Sequence, residues 1–236
     1  MIKKELHTFF ASPIGYLVIA LFLIFNGLFL FVLKTDFNIL NAGFADLDPF
    51  FYLTPWVFMF LIPAVTMRTF SDEIQTGTIE ILKTKPISNI QIVLGKYFGS
   101  YFLILIALLP TIIYFITVYK LGNPIGNIDV ASTIGSYIGL LFLASAFVAI
   151  GVFCSTLSSN QIVSFLLALV FSFIFYYFFE IIAGSFPFNA VFIKKIGMYE
   201  HYQNLSRGLI ETKDIIYFVS VIVFFLFLTK IRVDKI

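Results

Sequence analysis

Residues 130–153 read VASTIGSYIGLLFLASAFVAIGVF, a run of 24 residues without a charged side chain. About 20 residues rising about 1.5 Å each cross a hydrocarbon core of roughly 30 Å, so this run predicts a membrane-spanning helix. Five further apolar runs have the same character. Together they predict six spans, at about 14–33, 50–67, 98–119, 130–153, 161–183 and 215–231.

The composition supports a membrane protein over its whole length. Hydrophobic residues make up 60% of the chain and charged residues 12%, with a mean hydropathy of +1.01. Soluble domains carry about 25% charged residues, so a water-soluble globule and a disordered chain are both excluded. The net charge of +2 argues against nucleic-acid binding, and Cys154 alone cannot form a disulfide or a zinc site. We expect one all-α membrane domain over 1–236 that binds no cofactor or metal.

The distribution of lysine and arginine predicts the orientation. If the amino terminus is cytoplasmic, that side collects nine Lys and Arg residues and the other side six, so both termini are placed in the cytoplasm and the protein in the cytoplasmic (inner) membrane. Before the first span, Ile2, Leu6 and Phe9 recur at helical spacing. This pattern predicts an amphipathic helix on the membrane surface that ends near Ser12-Pro13.

The predicted spans contain almost no ionisable residues that could drive transport. Glu180 lies near the outer end of the fifth run, as an interfacial carboxylate or as part of an outer gate, and Asn26 fits an interhelical hydrogen bond. Gly95-Lys96 resembles only the end of a phosphate loop. A proton-driven transporter is therefore disfavoured, whereas a sodium-coupled transporter with broken helices stays open. If ATP is the energy source, a separate subunit must bind it.

The loop after the second span predicts a helix at about 71–84. Thr69 and Asp72 fit a capping box, Asp72 and Glu73 suit the positive end of a helix, and Pro86 ends it. The residues predicted to share one face are Ile74, Thr78, Ile81 and Leu82. An amphipathic helix along the membrane and a solvated loop with interfacial contacts are both compatible with this pattern.

Small residues form a stripe on the fourth span. Ser132, Gly135 and Gly139 allow a helix to approach closely, either within the chain or across a dimer contact. In the predicted outer loop at 184–214, His201 is isolated, which favours a hydrogen-bonded surface residue over a metal ligand.

Three stretches resemble the permease subunits of type-2 ABC exporters: Lys4-Glu5-Leu6…Ser12-Pro13…Tyr16, Arg68…Asp72-Glu73…Gly77-Thr78…Glu80…Leu82…Pro86…Gly95-Lys96 and His201…Arg207-Gly208…Asp214-Ile215…Tyr217-Phe218. Within this family, 37–40, 46–51 and Pro55-Trp56 are most similar to the gliding-motility-associated permeases of Bacteroidetes. A permease for maturation of a copper enzyme has a similar layout.

The resemblance implies one half of a transporter. Two six-span subunits, identical or not, would pair in the lipid bilayer around a central path, each above an ABC ATPase subunit that binds ATP and Mg, and a periplasmic auxiliary subunit could join them. The helix at 71–84 would enter a groove of the ATPase, with the implied coupling residues Arg68, Asp72, Glu73, Ile74, Gly77, Thr78, Glu80, Ile81, Leu82 and Pro86. The outer loop would fold partly back into the membrane as a gate, with Glu180, Phe186, Phe188, His201 and Arg207.

Individual roles follow from this picture. Glu73 and Glu80 are expected to contact the ATPase, and Arg68 is expected to tie the loop to the second span. Ile74, Ile81 and Leu82 would anchor the helix on the membrane domain. Two other functions compete with this one: an intramembrane hydrolase, which the spans do not equip with a catalytic pair, and a structural anchor of a motility or secretion machine without substrate flux.

Overall fold

The computed structural model describes residues 1–41, 43–84, 86–186, 188 and 190–235, without the side chains of Ile81 and Lys83. All regular structure in these residues is helical. The α-helices, in chain order, are Ile2–Ala11 (α1), Pro13–Gly27 (α2), Asp48–Thr66 (α3), Arg68–Gln75 (α4), Thr78–Lys83 (α5), Asn89–Leu108 (α6), Ile112–Leu121 (α7), Val130–Ser155 (α8), Gln161–Phe173 (α9), Phe179–Ser185 (α10), Ala190–Lys194 (α11), Met198–Ser206 (α12) and Thr212–Lys235 (α13).

The six predicted spans are confirmed as six helices long and apolar enough to cross a membrane. Short π-helical segments, Leu28–Val32 and Ile174–Phe178, continue α2 and join α9 to α10. The spans therefore run Pro13–Val32, Asp48–Gln75, Asn89–Leu121, Val130–Ser155, Gln161–Ser185 and Thr212–Lys235. The second and third spans are longer than predicted, because their helices continue beyond the apolar runs into polar sequence on either side of the loop.

The fourth span, α8, forms the centre of the molecule. Of its apolar stretch 78% is buried, against 28% in the first span and 22% in the fifth and sixth. Glycines permit this central position because neighbouring chain segments approach α8 without a side chain between them. Gly151, for example, lies directly against Thr66 of α3.

Proline and polar residues inside the spans are accommodated locally. Pro55 and Pro63 lie within α3, whereas Pro110 lies in a 3₁₀ turn that joins α6 to α7. Asn26 is buried between spans one and two, where Thr54 Oγ1 lies 3.4 Å from its Oδ1. The predicted interhelical contact of Asn26 is thus confirmed.

The predicted amino-terminal helix is confirmed as α1, and it packs against the start of α6. Ser12 follows it with an extended backbone, as expected before a proline. The buried residue of α1 is Glu5, and a Cβ on Gly99 would lie 2.5 Å from Glu5 Cβ. Gly95 is similarly close to Met1. The small residues at the start of the third span therefore make room for α1.

Candidate functional site

The segment predicted as one helix at 71–84 consists of two helices. The second span continues through α4 to Gln75, and α5 begins at Thr78. Between them Gly77 has a φ of +70°, a left-handed conformation that glycine adopts without strain. The predicted capping box is wrong: Thr69 lies inside the helix, and its Oγ1 donates to Thr66 O at 2.7 Å.

This helix break changes which side chains face the membrane domain. Ile79 and Leu82 are buried and Ile74 is partly buried, but Thr78 is exposed. The predicted apolar face is therefore correct for Ile74 and Leu82 and wrong for Thr78. Sequence reasoning missed Ile79, since a single uninterrupted helix would place it outside that face. The side chain of Ile81 lies outside the described residues.

Arg68 and Asp72 are both tied to the first residue of the fifth span. Arg68 Nε donates to Gln161 Oε1 at 3.1 Å, and Gln161 Nε2 donates to Asp72 Oδ1. Thr69 reinforces the joint, because its Oγ1 lies 2.7 Å from Ser155 Oγ at the end of α8. The expected tie from Arg68 to the second span is thus corrected: α4 is fastened to the fourth and fifth spans.

Glu73 points inward, toward a buried lysine on the third span. Glu73 Oε1 forms an ion pair of 2.8 Å with Lys96 Nζ, and Lys96 is 2% exposed. The carboxylate is therefore engaged inside the membrane domain, and its position does not support the expected contact with an ATPase. The predicted third span begins at about 98, after Lys96, and so that prediction does not place this lysine in the membrane domain. Its place between Gly95 and Gly99 at a helix start was the available signal.

Of the implied coupling residues whose side chains the structure describes, five are exposed: Arg68, Gly77, Thr78, Glu80 and Pro86. Thr78 Oγ1 lies 2.9 Å from Thr76 Oγ1 across the break. Glu80 lies in the first turn of α5, where a carboxylate suits the positive end of the helix. The exposed side chains on either side of Gly77 are therefore polar.

At the other end of the bundle, Glu180 forms an ion pair with Lys194. The two atoms Glu180 Oε1 and Lys194 Nζ are 2.5 Å apart, joining α10 to α11. The hydrogen bond that Lys194 donates to Glu180 raises the pKa of the Lys194 ammonium. This contact gives the carboxylate a partner at the surface of the fifth span.

His201 belongs to a buried polar cluster between α12 and α13. Its Nδ1 lies 2.6 Å from Asp214 Oδ1 and its Nε2 lies 3.0 Å from Lys195 O. Its ring stacks on Tyr217, with centroids 3.9 Å apart. His201 thus fastens the outer segment to the sixth span, and within the described residues no three His, Cys, Asp or Glu side chains are placed to hold a metal.

The remaining predicted gate residues are exposed. Phe188 is 98% exposed and Phe186 61% exposed. Arg207 is exposed beyond α12, where it lines a cavity of about 270 Å³ together with Asp48 and Gln203. The structure therefore pairs Glu180 with Lys194, whereas Arg207 and the two phenylalanines are exposed.

The small-residue stripe of α8 is covered by α12 of the same chain. Ser132 Oγ donates to Ser206 O at 2.8 Å, and a Cβ on Gly135 would lie 2.5 Å from Leu205 O. A Cβ on Gly139 would lie 3.2 Å from Leu205 and from Tyr202. Tyr202 is itself buried and donates to Phe51 O at 2.6 Å, and burial raises the pKa of its phenol well above the usual range. Of the two alternatives for this stripe, the structure supports packing within the chain.

Comparison with known proteins covers nearly the whole chain. A family model described as ABC-2 family transporter protein matches residues 1–231. No curated protein matches the chain with significance. The matched range contains all but the last few residues, so it includes α1, the α4–α5 segment and the outer helices.

Proposed function

Since the chain belongs to the ABC-2 family of transporter proteins and is a membrane permease subunit of an ABC transporter, we propose that it exports a substrate. The force comes from ATP hydrolysis in a partner subunit and enters this chain through the α4–α5 segment. The family implies partnership with an ABC ATPase subunit. The ATP and Mg would be bound by that partner.

The observation that carries the proposal is how the α4–α5 segment is attached. Its inner face is fastened to the third, fourth and fifth spans through Lys96, Ser155 and Gln161. Its outer face presents Glu80 beside the glycine break. A force applied to this segment would therefore reach three spans at once, because its contacts end on three different helices.

The orientation and assembly are part of the same proposal. The lysine and arginine distribution favours a cytoplasmic position for the α4–α5 segment and both termini, at the inner membrane. A second permease subunit, identical or not, would complete the transport path, and a periplasmic auxiliary subunit would bind the outer side. The resemblance at 37–40, 46–51 and 55–56 supports a role of the exporter in gliding motility or secretion.

The test is reconstitution of the permease with its ABC ATPase in lipid vesicles. We expect co-purification in mild detergent, stimulation of ATP hydrolysis by the permease, and ATP-dependent movement of the substrate across the vesicle membrane. Stimulation without any flux would favour the anchor function, and failure to bind an ATPase would overturn the proposal.

A charge reversal at Glu80 tests the assigned surface. We expect Glu80→Arg to weaken the complex with the ATPase by about tenfold, which corresponds to about 1.4 kcal/mol of binding free energy. The matched control is Glu211→Arg on the predicted outer side, at another exposed carboxylate. Equal affinities of the two variants would show that Glu80 does not contact the ATPase.

A further inference from the structure

Lys96 is a buried cation that contacts two other helices. Its ammonium pairs with Glu73 at 2.8 Å, donates to Thr69 O and lies 5.0 Å from the centre of the Phe70 ring. All three contacts come from α4. A fourth comes from α1, where Glu5 Oε1 lies 3.8 Å away, beyond hydrogen-bonding distance but within reach of an ion pair.

A buried ammonium needs an anionic partner in every conformation that it occupies. Removing a charge's partner in a low-dielectric interior leaves that charge uncompensated, at a large cost in free energy. If the ATPase displaced α4, Lys96 would lose Glu73, Thr69 and Phe70 together. Within the part of the chain that the structure describes, the carboxylate then left within 4.0 Å is that of Glu5.

The geometry of the two carboxylates fits an exchange. Glu73 Oε2 is buried and has no hydrogen-bond partner among the described residues, so Glu73 is only partly satisfied where it stands. Glu5 is held beside Lys96 because Gly99 lets α1 approach α6 closely. A small shift would bring Glu5 into direct contact.

We propose that Lys96 is the positioning residue of the coupling joint and that Glu5 is its reserve counter-ion. In the resting state Lys96 holds α4 through Glu73. When the ATPase moves α4, Lys96 exchanges its ion pair with Glu73 for one with Glu5. This exchange lowers the free-energy cost of moving α4, and it draws α1 toward Lys96. This inference rests on the proposed function, since it needs a partner that moves α4.

The experiment is a double-mutant cycle on the reconstituted permease–ATPase complex. We expect Glu5→Gln to leave binding of the ATPase intact and to reduce the stimulated rate of ATP hydrolysis about tenfold, within the usual range of coupling between sites. In a Lys96→Met background there is no ammonium for Glu5 to compensate, so Glu5→Gln should not reduce the stimulated rate further. Lys96→Arg keeps the charge and should restore the sensitivity to Glu5→Gln.

Two control variants match these changes in chemistry. Glu211→Gln and Lys120→Met alter exposed residues on the predicted outer side and should behave as the unmodified chain. A Glu5→Gln variant that behaves as Glu211→Gln would overturn the exchange, as would an equal loss in the Lys96→Met background. If the unmodified permease did not stimulate ATP hydrolysis by the ATPase, the proposed function itself would be overturned.

A distance measurement separates the exchange from simple loss of packing. Spin labels at Thr8→Cys on α1 and Thr76→Cys after α4 occupy exposed positions, and the native Cys154 is buried. We expect addition of a non-hydrolysable ATP analogue to change the distance between the labels in the unmodified background. In Glu5→Gln the distance should stay at its resting value; an unchanged response in that variant would contradict the proposal.

Discussion

At the scale of single residues, Gly135 marks a close approach of α12 to the fourth span. A Cβ at this position would lie 2.5 Å from Leu205 O and 2.9 Å from Gly208 Cα, and both are backbone atoms that cannot rotate away. We expect Gly135→Ala to lower the free energy of unfolding by about 1–3 kcal/mol. Thermal unfolding in detergent should show a fall in Tm of roughly 2–4 °C for each kcal/mol.

The control for this prediction is another helical glycine. A Cβ added at Gly184 would meet nothing within 4 Å, so Gly184→Ala should leave Tm unchanged or raise it slightly. Equal Tm values for the two variants would mean that α12 does not rest on α8 as closely as the structure indicates.

The ion pair of Glu180 and Lys194 allows a test of the two roles considered for Glu180, an interfacial carboxylate and part of an outer gate. The Lys194 side chain is 36% exposed, so the pair should contribute less than about 1 kcal/mol, and this contribution should largely disappear in about 1 M salt. The raised pKa of Lys194 means that the contribution is complete below about pH 10.5 and is lost as the pH rises through the raised value.

We therefore expect Glu180→Gln to lower Tm slightly at pH 7 and low salt, without changing stimulation of the ATPase. Lys213→Met, which breaks the exposed pair with Glu211, is the control for a pair outside this contact. Loss of transport in Glu180→Gln at unchanged Tm would support a gate role instead.

Sequence reasoning succeeds at residues whose pattern repeats and fails at residues whose partner is distant. The spacing of Ser132, Gly135 and Gly139 places them on one helix face, and this predicts them as packing residues. The flanking glycines hint at a close contact around Lys96, but its partners are hidden from such reasoning, because α1 and α4 bring the two carboxylates from elsewhere in the chain. Local patterns carry no information about such compensation.

At the scale of elements, the α4–α5 segment shows how one residue divides a helix. The N–H of Gly77 donates to Ile74 O at 3.3 Å, and its left-handed conformation ends α4. Glycine is the commonest residue just beyond a helix end, so Gly77 is a readable stop signal. Because apolar residues recur at helical spacing on both sides of Gly77, the sequence also fits one continuous helix. That prediction places Thr78 on the buried face, although it is exposed.

Proline at Gly77 should uncouple the two short helices. Its ring fixes φ near −65°, which is incompatible with the +70° of this position. We expect Gly77→Pro to insert into the membrane normally and to reduce stimulation of the ATPase at least tenfold, measured in reconstituted vesicles. Gly43→Pro, at a φ of +75° on the predicted outer side and equally open, should retain stimulation. Similar rates for both variants would contradict the assignment of this segment.

At the scale of the whole molecule, hydropathy predicts the number of spans. Each span must cross the hydrocarbon core as a long apolar helix, because only a helix satisfies its own backbone hydrogen bonds there. Hydropathy cannot predict that α8 lies at the centre, since all six runs are similarly apolar. The six spans differ in how much of each is buried. The second span continues to Gln75 because the charged side chains at its end have partners on other helices. The outer helices cannot be placed from hydropathy either, since α12 is buried by its fit to glycines rather than by a long apolar run.

The predicted orientation can be tested on the whole molecule by cysteine accessibility in intact cells. Phe188 is 98% exposed and lies on the predicted outer side, whereas Gln75 is exposed at the end of α4 on the predicted cytoplasmic side. Cys154 is buried, so the unmodified chain should give little background labelling. We expect a membrane-impermeant maleimide to label Phe188→Cys in intact cells and Gln75→Cys only after permeabilisation. The reverse pattern would place the α4–α5 segment outside, where no ATP-hydrolysing partner could reach it.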